Sequence, residues 1–416
     1  MRLVPARIVE TLTPSRLGRS FRWLLASSVI SNVGDGIALA AGPLLVASQT
    51  RDPLLVSMAL LAQLLPNLLF GLPAGAIADR FDRRRIVAGV NLVRAAVLVV
   101  LAATIVSGAV TIALVLIALF VLGTAEIFAD VSSNSLVPRV VPREHLGIAN
   151  ARLTGSFLLT NQLLAPPIGA FLFSAGMALP FAANAACFAL GAVLVTRVAT
   201  DVADMAVERS RRRGSLRREM ADGVRWLIAH PPMRTLALTI IAFNITYGAA
   251  WAVLVLYASE QLGMDAVGFG LLTTAIAIGG IIGTTAYGTL ERHFSLADIM
   301  RVGLLIETFT HLTLALTTSA AVALITMVVF GAHAFVWGTT STVVRQRSVP
   351  DELLGRVTGV YTIAVIGGMV IGTPIGGLLA REFGITAPFW FGFIGSAVLV
   401  TALWREFDNI VHASET

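Results

Sequence analysis

The sequence predicts an all-α membrane protein, with twelve transmembrane helices arranged as two six-helix halves. Three observations predict it. Hydrophobic residues make up 56% of the 416 positions and charged residues only 13%, against about 25% in a soluble domain, and the mean hydropathy is +0.83. Six apolar stretches lie on each side of a polar linker, each close to the roughly 20 residues that cross a hydrocarbon core as a helix. The heptapeptide VPREHLG, Val141 to Gly147, returns as VPDELLG, Val349 to Gly355, with Pro142 and Pro350 208 positions apart, so the chain reads as two copies of one unit.

In the first half the stretches run over 23–49, 54–78, 85–106, 109–134, 146–173 and 176–198. In the second they run over 234–258, 266–289, 297–317, 319–343, 355–379 and 385–404. Helix is the required state, because lipid offers no partner for backbone polar groups and the alternating pattern of a barrel strand is missing. The expected organisation is an N-terminal segment (1–22), a six-helix bundle (23–200), a basic linker (201–232), a second bundle (233–405) and a tail (406–416). The opening segment is interrupted by Pro5 and Pro14 and lacks the apolar core of a signal peptide, so it is expected to be retained.

The basic residues, all arginine, set the orientation. Arg16, Arg19 and Arg22 precede the first stretch, Arg80 and Arg83 to Arg85 follow the second, and Arg139 and Arg143 follow the fourth. Seven more, from Arg209 to Arg225, fall in the linker, and Arg345 and Arg347 follow the tenth stretch. This alternation puts both termini and the linker on the cytoplasmic side of the cell membrane. It also spreads the net charge of +6 over separate loops, which argues against a nucleic-acid surface. Within the linker, GSLRREMADGVRWLIAH reads as an amphipathic helix lying on the bilayer.

Several chemistries are excluded. Without lysine there is neither a phosphate-binding P-loop nor a Schiff base. Cys187 stands alone, and the six histidines fall in different segments without metal-site spacing, so no metal and no cofactor is expected. No nucleophile and base lie close together, which argues against an enzyme.

GAIADRFDRRRIV, Gly75 to Val87, resembles the loop signature GxLaDrxGrkxxL of the major facilitator superfamily. Gly75, Asp79, Arg80, Arg83 and Arg84 hold its positions, with Asp82 in place of the second glycine. The resemblance covers essentially the whole chain and implies two halves that rock around a central site, with the first, fourth, seventh and tenth spans surrounding a cavity. It implies a latch at the cytoplasmic rim, in which Asp79 faces the amino end of the eleventh span near Gly355 and Arg356, while Arg83 pairs with Asp130. Gly71 and Gly75 have the spacing of a close helix approach. In the second half GTLERHF, Gly288 to Phe294, is a weak echo with Arg292 where Asp79 would align.

APPIGA in the fifth span resembles a degenerate GPxxGG antiporter signature through Pro166 and Gly169, and GTPIGG in the eleventh carries Pro374, Gly376 and Gly377. Proline there kinks a helix and small residues allow close packing. Asn32 to Gly36 and the two VP loops resemble the branch containing macrolide and multidrug efflux proteins and the enterobactin exporter. The implied activity is export of a small amphipathic compound, such as a drug, macrolide or siderophore, against proton entry, by a monomer. A metabolite or lysolipid permease of the same superfamily is the alternative.

Polar residues inside the spans are the site candidates. Ser28, Asn32 and Asp35 form one stripe. An acid at mid-membrane costs about 2.5–3.5 kcal/mol on the insertion scale, so Asp35 is the first candidate proton carrier, the alternative being a carboxylate satisfied by packing. Glu126, one turn deeper than Asp130, is a second proton or cation candidate, or a partner for Arg94. The fourth span lacks the membrane arginine of many family antiporters, with Leu119 near its place. Gln63 and Asn67, then Asn244, Tyr247 and Trp251, then His333 and Trp337 are candidate substrate contacts. Glu307 and His311, four apart on the ninth span, are expected to satisfy each other.

Overall fold

The computed structural model describes residues 15–199 and 216–412, and its regular structure there is helical throughout. Most of the basic linker, and Ser210 with it, lies outside the described residues, as do residues 1–14. The helices before the linker are α1 (Gly18–Gln49), α2 (Pro53–Arg80), α3 (Arg83–Val106), α4 (Ile112–Val140), α5 (Arg143–Ala175) and α6 (Leu179–Val195). After the linker come α7 (Leu216–Ala229), α8 (Pro231–Trp251), α9 (Ala266–His293), α10 (Leu296–Leu316), α11 (Ala320–Ser348), α12 (Asp351–Phe383), α13 (Ala387–Leu403) and α14 (Glu406–His412). Among the described residues, nine helices are long and apolar enough to span a bilayer, and α7 with α8 makes a tenth as a pair bent by 108°. The shorter apolar helices α6 and α13 bring the number to the twelve expected.

The bend follows from sequence. Pro231 forces His230 out of the helical region, to φ −108° and ψ 96°, and then starts α8 at a position where its missing N–H is not needed. The duplicated heptapeptide works the same way twice. Val141 and Val349 are extended because each precedes a proline, which stops α4 and α11. Pro142 and Pro350 then restart the chain at nearly identical angles, φ −55° and −54°. Both helices run on to that stop, past the ends expected at 134 and 343, because polar residues carry them beyond the apolar stretch.

Two compact units result, one of Met1–Leu45 with Leu65–Arg212, the other of Val46–Leu64 with Arg213–Thr416. In the first, α1 lies against α5 and α6 at glycine-thin crossings. A Cβ on Gly169 would come within 2.5 Å of the Ile37 carbonyl oxygen, and one on Gly191 within 2.6 Å of Ser31 Oγ. In the second unit Gly368, Gly372 and Gly376 descend one face of α12 a turn at a time against α8, where added methyls would overlap the backbone of Ile241, Ile245 and Ala249. Gly377 faces Ser57 and Leu54 in the same way.

The two proline signatures behave differently. In α5 a π-helical stretch, Leu158–Leu164, precedes Pro166 and Pro167. Adjacent prolines remove two successive N–H donors, and the wider π turn re-pairs the backbone before them. By contrast, α12 continues as α-helix through Pro374 for its full 33 residues. A second correction concerns Gly71 and Gly75. Among the described residues, a Cβ at either would meet no atom within 4 Å, so neither makes the close approach their spacing suggested. Spacing puts two glycines on one face of a helix without saying what that face meets.

Candidate functional site

Within the first unit α1, α3, α4 and α5 enclose a cavity of about 290 Å³. Its charged residues are Asp35, Arg94, Glu126 and Asp130, so three carboxylates share one guanidinium. Ser28 and Asn32 line it as the stripe requires, with Asn32 Nδ2 donating to Ser28 Oγ at 3.3 Å. The π stretch of α5 turns Asn161 toward α1, where its Nδ2 donates to the Asn32 carbonyl at 3.4 Å.

The central contact is an ion pair between Asp35 of α1 and Arg94 of α3. Arg94, which the sequence offered as one possible partner for Glu126, pairs with Asp35. Sequence distance conceals it, since the two lie 59 residues apart, while the depth match to Glu126 is visible in the sequence. Arg94 is only 3% exposed, and its guanidinium carbon stacks 3.8 Å over the Phe188 ring of α6. Stacking on an aromatic face and pairing with a carboxylate are what make a buried guanidinium tolerable.

Polar cavity residues the sequence reading passed over are Ser27, Ser31, Asn91, Ser133, Asn134 and Thr154. A signal for some was present. Asn91 lies one turn before Arg94, and Glu126, Asp130, Ser133 and Asn134 fall at i, i+4, i+7 and i+8 of one helix. Asn91 Nδ2 donates to Ser31 Oγ at 3.4 Å, while its buried Oδ1 has no hydrogen-bond partner among the described residues. Gln63 and Asn67 do not line this cavity; the Gln63 amide donates back to Ala59 O of its own helix.

At the rim, Asp82 stands where the superfamily signature has glycine, and its extended backbone, φ −65°, has no need of one. Its carboxylate caps α3 by accepting from the Arg84 N–H at 3.0 Å and lies 3.8 Å from the Arg84 guanidinium, which also donates to Val198 O at the end of α6. Arg83 is buried. The Asp79 side chain lies outside the described residues. The weak echo in the second unit has a rim pair of its own, Glu291 of α9 with Arg347 of α11 at 3.1 Å.

In the second unit Asn244 is turned inward, donating to Ile240 O of its own helix at 2.7 Å and packing on Gly368. Tyr247 and Trp251 form an aromatic group with Phe330 of α11, ring centres 4.3 to 5.7 Å apart. His333 and Trp337 sit deeper and are buried, and Trp337 packs edge-on against Phe407 of α14. That packing places Trp337 in the unit's apolar core. Glu307 and His311 meet as their spacing requires, at 3.0 Å. Among the described residues, no group of three or more His, Cys, Asp or Glu side chains is arranged to hold a metal ion.

A twofold-repeated, twelve-helix chain with a polar cavity is built to bind a small solute within a membrane. Comparison with known proteins agrees. The transmembrane secretion effector profile of the major facilitator superfamily matches residues 10–409. Macrolide efflux protein A of Streptococcus pyogenes is 23% identical over 392 residues, covering 92% of this chain and 94% of that protein. The multidrug efflux pump Tap of Mycolicibacterium fortuitum is 27% identical over 382 residues, 88% of this chain and 90% of the pump. Among solved structures, a bacterial homologue of the iron transporter ferroportin in an inward-facing state aligns with a TM-score of 0.73 at 16% identity, over 94% of this chain and 98% of that one. The nucleoside transporter NupG aligns at 0.69 and 13% identity, over 94% and 99%; both share the fold. The chain is therefore a multi-pass membrane transporter and belongs to the transmembrane secretion effector family of the major facilitator superfamily.

Proposed function

We propose that this transporter exports small amphipathic compounds in exchange for protons, working as a monomer in the cell membrane with both termini in the cytoplasm. Asp35 is the coupling carboxyl. One observation carries the reading: an acid on α1, at the edge of a polar cavity, is held by a single arginine. Arginine keeps its charge at any physiological pH, so the pair dissolves only when Asp35 takes a proton. Protonation then frees the Arg94 guanidinium inside the cavity and changes what the cavity can bind. Glu126 and Asp130 supply the further negative charge that a bound substrate or proton would meet. The names of the macrolide and multidrug efflux relatives favour export over uptake.

Membrane vesicles with an imposed pH gradient provide the test, with erythromycin and ethidium as probes. The wild type should accumulate a probe in the export direction and lose it when the gradient is collapsed. Asp35→Asn should bring gradient-driven accumulation to background while retaining downhill exchange, because the cavity itself is kept. Full accumulation by Asp35→Asn would remove Asp35 as the carrier and move the assignment to Glu126, and gradient-driven uptake in the opposite direction would favour a permease. For orientation, Ser210→Cys in a Cys187→Ser background should react with an impermeant thiol reagent only after the cells are permeabilised. Labelling of intact cells would reverse the topology.

A further inference from the structure

Away from the charged cavity, the second unit buries a carboxylate of its own. Glu307 of α10 is 0% exposed, and so is His311 one turn along. His311 Nε2 lies 3.0 Å from Glu307 Oε1, while His333 of α11 brings its Nε2 to 3.5 Å from the other oxygen, Oε2. The rings are held by packing: His311 rests on Gly392 of α13 and His333 on Gly303 of α10, where a Cβ would come within 2.6 and 2.9 Å of the respective Nδ1 atoms.

We propose that Glu307, His311 and His333 form a second proton-binding site, in which one proton is shared between two imidazoles that face a single buried carboxylate. Charge selects the number of protons, one, for the group as a whole. With both imidazoles neutral, an ionised Glu307 would be a buried charge without a counter-ion; with both protonated, the group would carry a buried net positive charge. One proton makes it neutral. Among the described residues, the ionisable side chains within ion-pair distance of Glu307 are His311 and His333. On α13, against His311, the polar side chain is Ser396, already bonded to Gly392 O. Among the described residues, no arginine lies within ion-pair distance of Glu307.

The geometry gives the two imidazoles unequal roles. His311 is held on the same helix as the acid and makes a hydrogen bond to it. His333 stands half an ångström beyond hydrogen-bond length, and its Nε2, like Glu307 Oε2, has no hydrogen-bond partner among the described residues. No covalent bond other than N–H changes: the proton enters on an imidazole nitrogen and leaves from one.

The site is independent of Asp35, and so is its test. Protein labelled with ¹⁵N-histidine, purified at full length, should show one imidazolium's worth of signal across His311 and His333 at pH 7.5, where an ordinary histidine is only about a tenth protonated. His333→Gln should place it wholly on His311, and His311→Gln wholly on His333. Glu307→Gln should abolish it, because neither buried ring then has a counter-charge, and Asp35→Asn should leave it unchanged. Two neutral imidazoles in the wild-type protein, which requires no variant to fold, would overturn the proposal. So would an imidazolium that persists in Glu307→Gln.

Discussion

The two units solve one problem, an acid inside a membrane helix, in opposite ways. In the first, Asp35 is paired with an arginine and borders a cavity that also holds Glu126 and Asp130. In the second, Glu307 is closed off among two histidines and aromatic rings, with nothing exposed. An arginine cannot give up its proton, so the Asp35 pair is either made or broken. An imidazole can, so the Glu307 group can adjust its own charge without coming apart. Repetition of a helical scaffold therefore does not repeat its electrostatics.

That contrast can be broken by truncating each partner. Arg94→Met leaves Asp35 without its counter-charge and should destabilise the first unit by about 3–5 kcal/mol, the cost of breaking a buried pair from one side. The Arg94→Met/Asp35→Asn double variant should recover most of the loss. Glu307→Gln should cost less, about 1–3 kcal/mol, because the imidazoles can shed their proton and the loss is one of hydrogen bonding. Thermal unfolding of the purified proteins ranks them, and an equal or larger loss for Glu307→Gln would contradict the difference drawn between the sites.

Helix packing makes a comparison of intermediate size. Gly372→Ala must push a methyl into the Ile245 backbone, an overpacking that should cost about 1–3 kcal/mol. At Gly75 the same methyl enters open space among the described residues, so Gly75→Ala should leave the melting temperature unchanged. A marked loss at Gly75 would show that its signature position carries a packing role after all.

What could be read from the sequence was set by range. Local relations were legible: the twelve spans from apolar length, the restart at Pro142 and Pro350 from the duplicated heptapeptide, and the Ser28–Asn32 and Glu307–His311 pairs from helical spacing. Relations between helices were not. Arg94 could be placed at the right depth but not matched to Asp35, because depth does not say which way a side chain turns around its helix. His333 was legible as a polar residue in α11, yet its position beside Glu307 depends on how α11 packs against α10. Asn161 reaches Asn32 only because a π turn rotates it, and proline-rich sequence gave the irregularity without its form.

The smallest effect concerns the start of the third helix in each unit. Asp82 caps α3 by accepting from the Arg84 N–H at 3.0 Å, and Ser295, at the corresponding place in the second unit, caps α10 by accepting from the Asp298 N–H at the same distance. Both first residues are extended, so each cap works through its side-chain oxygen and not through a special backbone angle. Asp82→Ala and Ser295→Ala should therefore each lose about 1 kcal/mol, whereas Asp82→Gly should lose only a few tenths, glycine being tolerated at a helix start. Asp82→Gly also restores the residue of the superfamily signature. Each cap has further contacts, Asp82 with the Arg84 and Arg85 side chains at 3.8 and 3.7 Å and Ser295 Oγ donating to Asp298 Oδ2 at 2.7 Å, but these are partly solvated and add little. Melting temperatures of the three variants should thus group the two alanine substitutions together and set glycine apart; a glycine variant as unstable as the alanine one would mean that the Asp82 carboxylate holds the rim through Arg84 and not through the helix cap.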